Sequence, residues 1–145
     1  KVIYAARTHS QLTQFIGELR RTRWGKDARV ATLGSRSLLC GNDDVLYSSG
    51  GNKKGTRRGE AEITEMCLDM QKNKGVGVPA KRTGGGDEKG KKAKQKSSCP
   101  LLTSPEAIST LAMHSLAKPS DIEDLAKLGK ASHSCSYYAS REALA

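Results

Sequence analysis

Four cysteines are the side chains of this sequence best suited to bind a metal: Cys40, Cys67, Cys99 and Cys135. No two of them have the Cys-x-x-Cys spacing, which argues against a zinc ribbon or a zinc finger. Four thiolates would satisfy one iron–sulfur cluster, whereas four unrelated thiols would simply be small buried residues. The spacing alone leaves both interpretations open.

Two further features favour a shared metal. Pro100 follows Cys99 directly, and a Cys-Pro step fixes φ beside a ligand and removes one amide donor. The cysteines also lie in a region with few large apolar residues, which needs a metal or a disulfide to hold its shape. Structural disulfides are disfavoured, because the sequence shows no secretory signal.

Composition limits the remaining classes of protein. The 145 residues are enough for about one domain, and 36% hydrophobic with 4% aromatic residues is thin for a core of this length. No apolar run approaches the ~20 residues of a membrane span, which excludes an integral membrane protein. The chain starts at Lys1 and runs at once into an apolar segment. We interpret it as an internal piece of a longer protein.

The formal net charge of +10 is concentrated in two segments. Residues 72–96 hold nine Lys or Arg, two acidic residues and six glycines, and residues 48–59 have a similar composition. Such segments bury too little apolar surface to offset chain entropy, so we predict that both are disordered basic inserts. They are either solvated loops or tails that attract phosphates by releasing counterions.

The elements that must position these groups begin with a strand, a helix and a strand. The apolar run 2–6 predicts a buried strand, and 30–33 predicts a second one. Between them Leu12, Phe15, Ile16 and Leu19 form one apolar helical face, with Ser10 as its cap and Gly25 soon after its end. This is the size of one βαβ unit with a parallel sheet.

The rest of the sequence predicts helices. Ile63, Met66, Cys67 and Met70 share one helical face. Ser104 before Pro105 predicts a helix start. Residues 120–123 have the pattern of a capping box, and Gly129 is the expected end of that helix. Residues 137–144 predict one more helix.

The sequence resembles the XPD-like iron–sulfur DNA helicases. Residues 4–15 (YAARTHSQLTQF) resemble their motif Ia, and residues 33–40 (LGSRSLLC) resemble the segment that carries their first cluster cysteine. The segments 67–72 (CLDMQK), 99–100 (CP) and 135–141 (CSYYASR) resemble those of the other three. The ChlR-type branch, which is associated with sister-chromatid cohesion, is the most similar.

The resemblance implies an α/β fold. Residues 1–36 would be part of the first RecA-like helicase domain, and residues 37–145 would be a mainly helical iron–sulfur insertion with basic inserts at about 48–59 and 72–96. The full-length parent would be a nuclear, ATP-dependent 5′→3′ helicase using ATP and Mg²⁺. Its partners would be single-stranded and forked DNA, with replication or cohesion proteins as further candidates and no membrane.

The resemblance also assigns residues. Cys40, Cys67, Cys99 and Cys135 would bind a 4Fe–4S cluster, and Arg36 would lie between that cluster and the DNA. The DNA backbone would be contacted by Arg7, Thr8, His9, Ser10 and Gln11. A loop rich in hydroxyl, amide and Arg groups can hold phosphates without reading bases, which suits a motor that accepts any sequence. Tyr137 and Tyr138 could stack on a base, but packing is the commoner role of such a pair.

The chain departs from the family pattern at Ala6, where Ser is usual, and at Ser136, where Pro is usual. The phosphate-binding motif G-x-x-x-x-G-K-[ST] is absent, since Lys92 stands where Ser or Thr would bind magnesium in the nearest match. An Asp-Glu-Ala-His box is also absent, so we expect no ATPase activity from this chain alone. Two alternatives remain: a basic nucleic-acid adaptor without motor activity, and a four-cysteine zinc interaction module.

Overall fold

The computed structural model describes residues 2–48, 55–72, 98–102 and 104–145. Within these ranges the regular structure is helical, which agrees with the helical part of the prediction. The helices are α1 (His9–Arg21), α2 (Arg36–Leu39), α3 (Asp43–Leu46), α4 (Glu60–Lys72), α5 (Pro105–Ser115), α6 (Ile122–Ala131) and α7 (Ser136–Glu142), with a 3₁₀ turn at Arg23–Gly25. None of the helices in the described ranges is long and apolar enough to cross a lipid bilayer.

The two predicted strands are not formed in the described residues. Residues 2–6 and 30–33 have no assigned secondary structure, and Val2 and Ile3 are 94% and 95% exposed. A parallel strand needs the backbone of a neighbouring strand to pair with, and no described residue supplies one to these segments. The isolated antiparallel bridge between Tyr47 and Arg57 is the β pairing that the described part of the chain contains.

Helix α1 starts earlier than predicted. The cap is Thr8 and not Ser10: the Thr8 hydroxyl accepts a hydrogen bond from the Gln11 amide at 3.4 Å, and the Gln11 side chain accepts one from the Thr8 amide at 3.2 Å. This reciprocal capping box satisfies two amide groups that the first turn leaves free. It orders the segment before α1 that the sequence assigns to DNA contact.

The main core joins α2 to the three C-terminal helices. Leu39 of α2, Leu111 of α5, Leu125 of α6 and Ala139 of α7 are all fully or almost fully buried in it. The predicted start of α5 is confirmed, because the Ser104 hydroxyl accepts a hydrogen bond from Ala107 with Pro105 in the first turn. Burial of each of the leucine side chains contributes roughly 1.5–3 kcal/mol.

Helix α6 differs from the prediction at both ends. Its cap is Asp121 rather than Ser120, and the Asp121 carboxylate accepts a hydrogen bond from the Asp124 amide at 2.8 Å. The helix also continues past Gly129 to Ala131. Glycine is required at position 129 inside the helix, because the following chain, at Ser134 and Ser136, passes too close for a side chain.

A second, smaller core lies under α3 and α4. Val45, Leu46 and Ile63 are buried in it, and Cys40, Met66, Cys67 and Met70 pack against them. The predicted apolar face of α4 is therefore confirmed. Cys40 and Cys67 belong to this core, whereas Cys99 and Cys135 belong to the main core, so the four cysteines lie where the two cores meet.

The described part of the first basic insert is ordered. Arg57 donates a hydrogen bond to the Ser37 carbonyl at 2.7 Å. Arg58 donates to the carbonyls of Asp44 and Val45 at 2.6 and 3.0 Å. The sequence predicts a disordered loop here, and in the described residues 55–59 the two guanidinium groups bind main-chain carbonyls of α2 and α3. The rest of that insert, 49–54, and residues 73–96 of the second lie outside the described residues.

Candidate metal centre

The four cysteines are carried by four different parts of the chain. Cys40 ends α2, Cys67 lies inside α4, Cys99 lies in the short segment 98–102, and Cys135 directly precedes α7. Contacts between α2 and α4 and between α2 and α7 bring three of these parts together. All four thiols are free, with Cys135 buried and the other three partly buried.

The thiols are close enough to affect one another's ionisation. Burial is the main cause that raises the pKa of Cys40 to about 11, and repulsion from the thiols of Cys67, Cys99 and Cys135 contributes to that rise. Burial also raises the pKa of Cys135, with added repulsion from Cys67 and Cys99. Every pair among the four cysteines interacts in this way, since Cys67 and Cys99 also repel each other. The four thiols, which are far apart in the sequence, therefore lie near one another in the structure.

The arrangement does not fit one small ion. Among the described residues, no group of three or more His, Cys, Asp or Glu side chains is placed to hold a single metal ion. A zinc site needs all its ligands at about 2.0–2.3 Å from one centre. A 4Fe–4S cluster instead takes one thiolate at each of four irons, so its ligands stand around a larger core. Four partly desolvated thiols, carried by four parts of the chain, match that donor set in number and type.

Arg36 lies between the cysteines and the tyrosines of α7. Burial raises the pKa of Cys67, and the nearby positive charge of Arg36 opposes that rise. The Arg36 guanidinium also donates to the Tyr138 hydroxyl at 3.3 Å and lies 4.2 Å from the centre of the Tyr137 ring. The Arg36 Nε is buried and has no hydrogen-bond partner. The side chain that the sequence assigns to the space between cluster and DNA is thus adjacent to one of the cysteines.

Tyr137 packs inside the protein. Two guanidinium groups lie over its ring, that of Arg141 at 3.5 Å and that of Arg36 at 4.2 Å from the ring centre. Tyr138 meets it edge to face, with the ring centres 5.1 Å apart. Packing, which the sequence favoured over base stacking, is what the structure shows for Tyr137. Arg141 was not singled out from the sequence, although its spacing of four residues from Tyr137 places the two on one helical face.

The residues assigned to DNA contact lie at the N-terminal end of α1. Arg7, Thr8, His9, Ser10 and Gln11 are all exposed. The Thr8 and Gln11 side chains are held in the capping box, and the N-terminal end of the helix carries partial positive charge that favours an anion. His9 opens onto a groove of about 370 Å³ between α1 and α6, which Lys127 and Lys130 also line.

Helix α1 is tied to the cysteine-bearing half of the chain by polar contacts. Arg20 forms an ion pair with Asp124 at 2.5 Å and donates to the Pro119 carbonyl at 2.8 Å. The Thr32 hydroxyl donates to the Ser120 carbonyl at 2.5 Å. These contacts cross the predicted boundary between residues 36 and 37. They fix the exposed loop before α1 relative to the start of α6.

One buried polar residue beside the cysteines was missed by the sequence analysis. Asn42 places its amide nitrogen 3.5 Å from the Cys99 sulfur. A signal was present, because Asn two residues after Cys40 and before two aspartates is a strong helix cap. The pattern predicts the cap but carries no information about Cys99, which is far away in the sequence.

Comparisons with known proteins identify the family of the chain. A protein-family model, DEAD_2, matches residues 4–145. The chain is 36% identical to the ATP-dependent DNA helicase DDX11 of Mus musculus and 38% identical to that of Homo sapiens, each over 99% of this chain and 14% of the relative. It is 36% identical to the ATP-dependent DNA helicase chl1 of Aspergillus fumigatus, over 99% of this chain and 18% of the relative. The chain thus spans less than a fifth of these relatives, and no solved structure gives a significant match.

Proposed function

The chain belongs to the DEAD_2 family, among the ChlR-type members of the XPD-like helicases, and on this premise we propose that its four cysteines hold a 4Fe–4S cluster beside a track for single-stranded DNA. The parent protein would be a nuclear, ATP-dependent helicase that moves 5′→3′ and separates strands. The observation that carries the cluster proposal is that α2 contacts both α4 and α7, while Asn42 contacts the sulfurs of Cys40 and Cys99, which brings the four cysteines together.

Cys40, Cys67, Cys99 and Cys135 would be the ligands. When bound, the cluster supplies iron–thiolate bonds, which couple metal binding to folding. The protein contributes the placement of the sulfurs: α2, α4 and the start of α7 each carry one, at the junction of the two cores. Because these cores are small, crosslinking them through the ligands would stabilise the whole unit.

Contact with the DNA backbone is proposed for the loop before α1 and for Arg36. The loop is exposed, contains Arg7 and Thr8, and leads into α1, whose first residue is the exposed His9. These groups bind phosphates and do not discriminate between bases. Arg20 holds α1 against α6, so movement along DNA at α1 would be mechanically coupled to the cysteine-bearing half.

Catalysis of ATP hydrolysis is not expected from this chain alone. Neither the phosphate-binding loop nor the Asp-Glu-Ala-His box occurs in the 145 residues. We predict that the purified chain does not turn over ATP. Measurable turnover that co-purifies with the chain and survives repurification would overturn that prediction.

The test is anaerobic purification of the 145-residue chain with iron, sulfide and zinc analysis. We expect about four irons and four sulfides per chain, with broad absorption from thiolate–iron charge transfer. Changing any one cysteine to Ser should lower the iron content. Ser132→Ala is the matched control, because Ser132 is an exposed residue near Cys135 whose hydroxyl bonds only to its own helix.

Three other outcomes would contradict the cluster proposal. A colourless, folded chain with one zinc would favour the zinc interaction module. A metal-free chain that is folded normally would show that no cluster is needed. DNA binding that survives all four Cys→Ser changes and is lost on deleting residues 72–96 would favour the basic adaptor.

A further inference from the structure

Asn42 is a buried polar residue whose side chain makes contacts beyond those needed to cap α3. It is 7% exposed and caps α3, where its side-chain oxygen accepts a hydrogen bond from the Asp44 amide at 3.0 Å. Ser or Asp would cap the helix equally well. The amide nitrogen, which capping does not use, lies 3.5 Å from the Cys99 sulfur and 3.6 Å from the Met70 sulfur.

The Cys99 sulfur is the stronger of these two acceptors. The thioether of Met70 is neutral and accepts hydrogen bonds weakly. A metal-bound Cys99 is a thiolate, and hydrogen bonds to charged acceptors are about twice as strong as neutral ones. The amide carries two N–H donors, so it can serve both sulfurs from one orientation.

Asn42 also touches a second cysteine, but there it can only accept. Its main-chain carbonyl lies 3.8 Å from the Cys40 sulfur. The same carbonyl accepts hydrogen bonds from the amides of Val45 and Leu46 at 3.1 Å, which fixes its direction. Since a carbonyl has no proton to give, the amide is the part of Asn42 that can stabilise negative charge on sulfur.

We propose that Asn42 is a positioning residue that donates a hydrogen bond to the Cys99 thiolate and thereby raises the reduction potential of the bound cluster. This inference rests on the proposed function, because it presumes that Cys99 is a cluster ligand. Reduction adds negative charge to the iron and its sulfurs. A donor aimed at a ligand sulfur stabilises the more negative state, and such donors are among the features that set cluster potentials.

The test compares variants that keep the helix cap and lose the donor. Asn42→Asp retains the capping oxygen, loses the amide donor and adds negative charge. Asn42→Ser also retains a capping oxygen but adds no charge. Ser104→Ala is the control, since it removes the cap of α5, whose hydroxyl bonds Ala107 and not a cysteine. Each full chain is prepared anaerobically, and its iron content, helical signal and midpoint potential are measured.

In Asn42→Asp we expect the equilibrium constant for reduction of the cluster to fall at least about tenfold. For a one-electron couple this lowers the midpoint potential by about 59 mV. Asn42→Ser should shift in the same direction by a smaller factor, and Ser104→Ala should leave the potential unchanged. Loaded variants with the wild-type potential would overturn the inference. Loss of the helical signal in both Asn42 variants would also overturn it, because Asn42 would then be only a folding residue.

A failure of the inference about Asn42 can be distinguished from a failure of the cluster proposal. If the wild-type chain binds no iron or sulfide, the cluster proposal fails and the inference about Asn42 fails with it. If the wild-type chain and the variants all load and share one potential, the cluster proposal stands and only the role of Asn42 is wrong.

Discussion

Replacing Gly129 by Ala tests how α6 and the chain around Cys135 fit together. A Cβ at Gly129 would collide with the Ser136 hydroxyl and lie 2.9 Å from the Ser134 carbonyl oxygen. The Ser136 hydroxyl is buried and donates a hydrogen bond to the Leu125 carbonyl at 2.9 Å. To admit the methyl group, Ser136 must move and that hydrogen bond must lengthen or break.

The size of the effect follows from three contributions. Ala in a helix interior is favoured over Gly by about 1 kcal/mol. Overpacking costs roughly 1–3 kcal/mol, and leaving the Ser136 hydroxyl without its buried acceptor costs about 1–3 kcal/mol. Central values predict that Gly129→Ala lowers the free energy of unfolding by about 3 kcal/mol. Since Ser136 directly follows Cys135, we also expect a lower iron content.

Gly17→Ala is the matched control for this experiment. Gly17 also lies inside a helix, α1, but a Cβ there meets no atom within 4 Å. It should therefore raise the free energy of unfolding by about 1 kcal/mol through helix propensity alone. Urea unfolding of the anaerobically purified chain, followed by circular dichroism, measures both variants. If Gly129→Ala is as stable as the wild type, or gains as much as Gly17→Ala, the packing argument is refuted.

Two other contacts lead to predictions. The Arg20 hydrogen bond lowers the pKa of Asp124, so the pair stabilises the chain above pH 3.8 and is lost on further acidification. Arg20→Ala should cost less than about 1 kcal/mol, since both side chains are partly exposed, and should flatten the acid limb of a thermal-melting profile; an unaltered acid limb would be evidence against the pair. Arg36→Lys keeps the charge but loses the planar group over Tyr137, and should lower the urea-derived stability by about 1 kcal/mol; wild-type stability would mean that the stacking contributes nothing.

The family and most helices were predictable from the sequence because both depend on local patterns. The apolar face of α1 and that of α4, and the Ser104–Pro105 start of α5, depend on residues within a few positions of one another. The caps were less predictable. Thr8 and Asp121 cap their helices where neighbouring serines were expected, because Ser, Thr and Asp cap almost equally well and the surrounding packing decides among them.

The predicted strands show where a local pattern is insufficient. An apolar run such as 2–6 has the composition of a buried strand, but pairing needs a second backbone that the run itself cannot provide. Arg57 and Arg58 show the opposite case. Their composition predicts a solvated loop, yet both bind main-chain carbonyls of segments that come before them in the sequence.

The sequence by itself determined four thiols with no closely spaced pair and most of the helices around them. Only the tertiary structure decided that the elements carrying Cys40, Cys67 and Cys135 contact one another and that the Asn42 amide reaches Cys99. The physical reason is that these interactions act over different distances along the chain. Helix propensity and capping act over a few residues, whereas the distance between side chains that are many residues apart is set by how the two cores pack together.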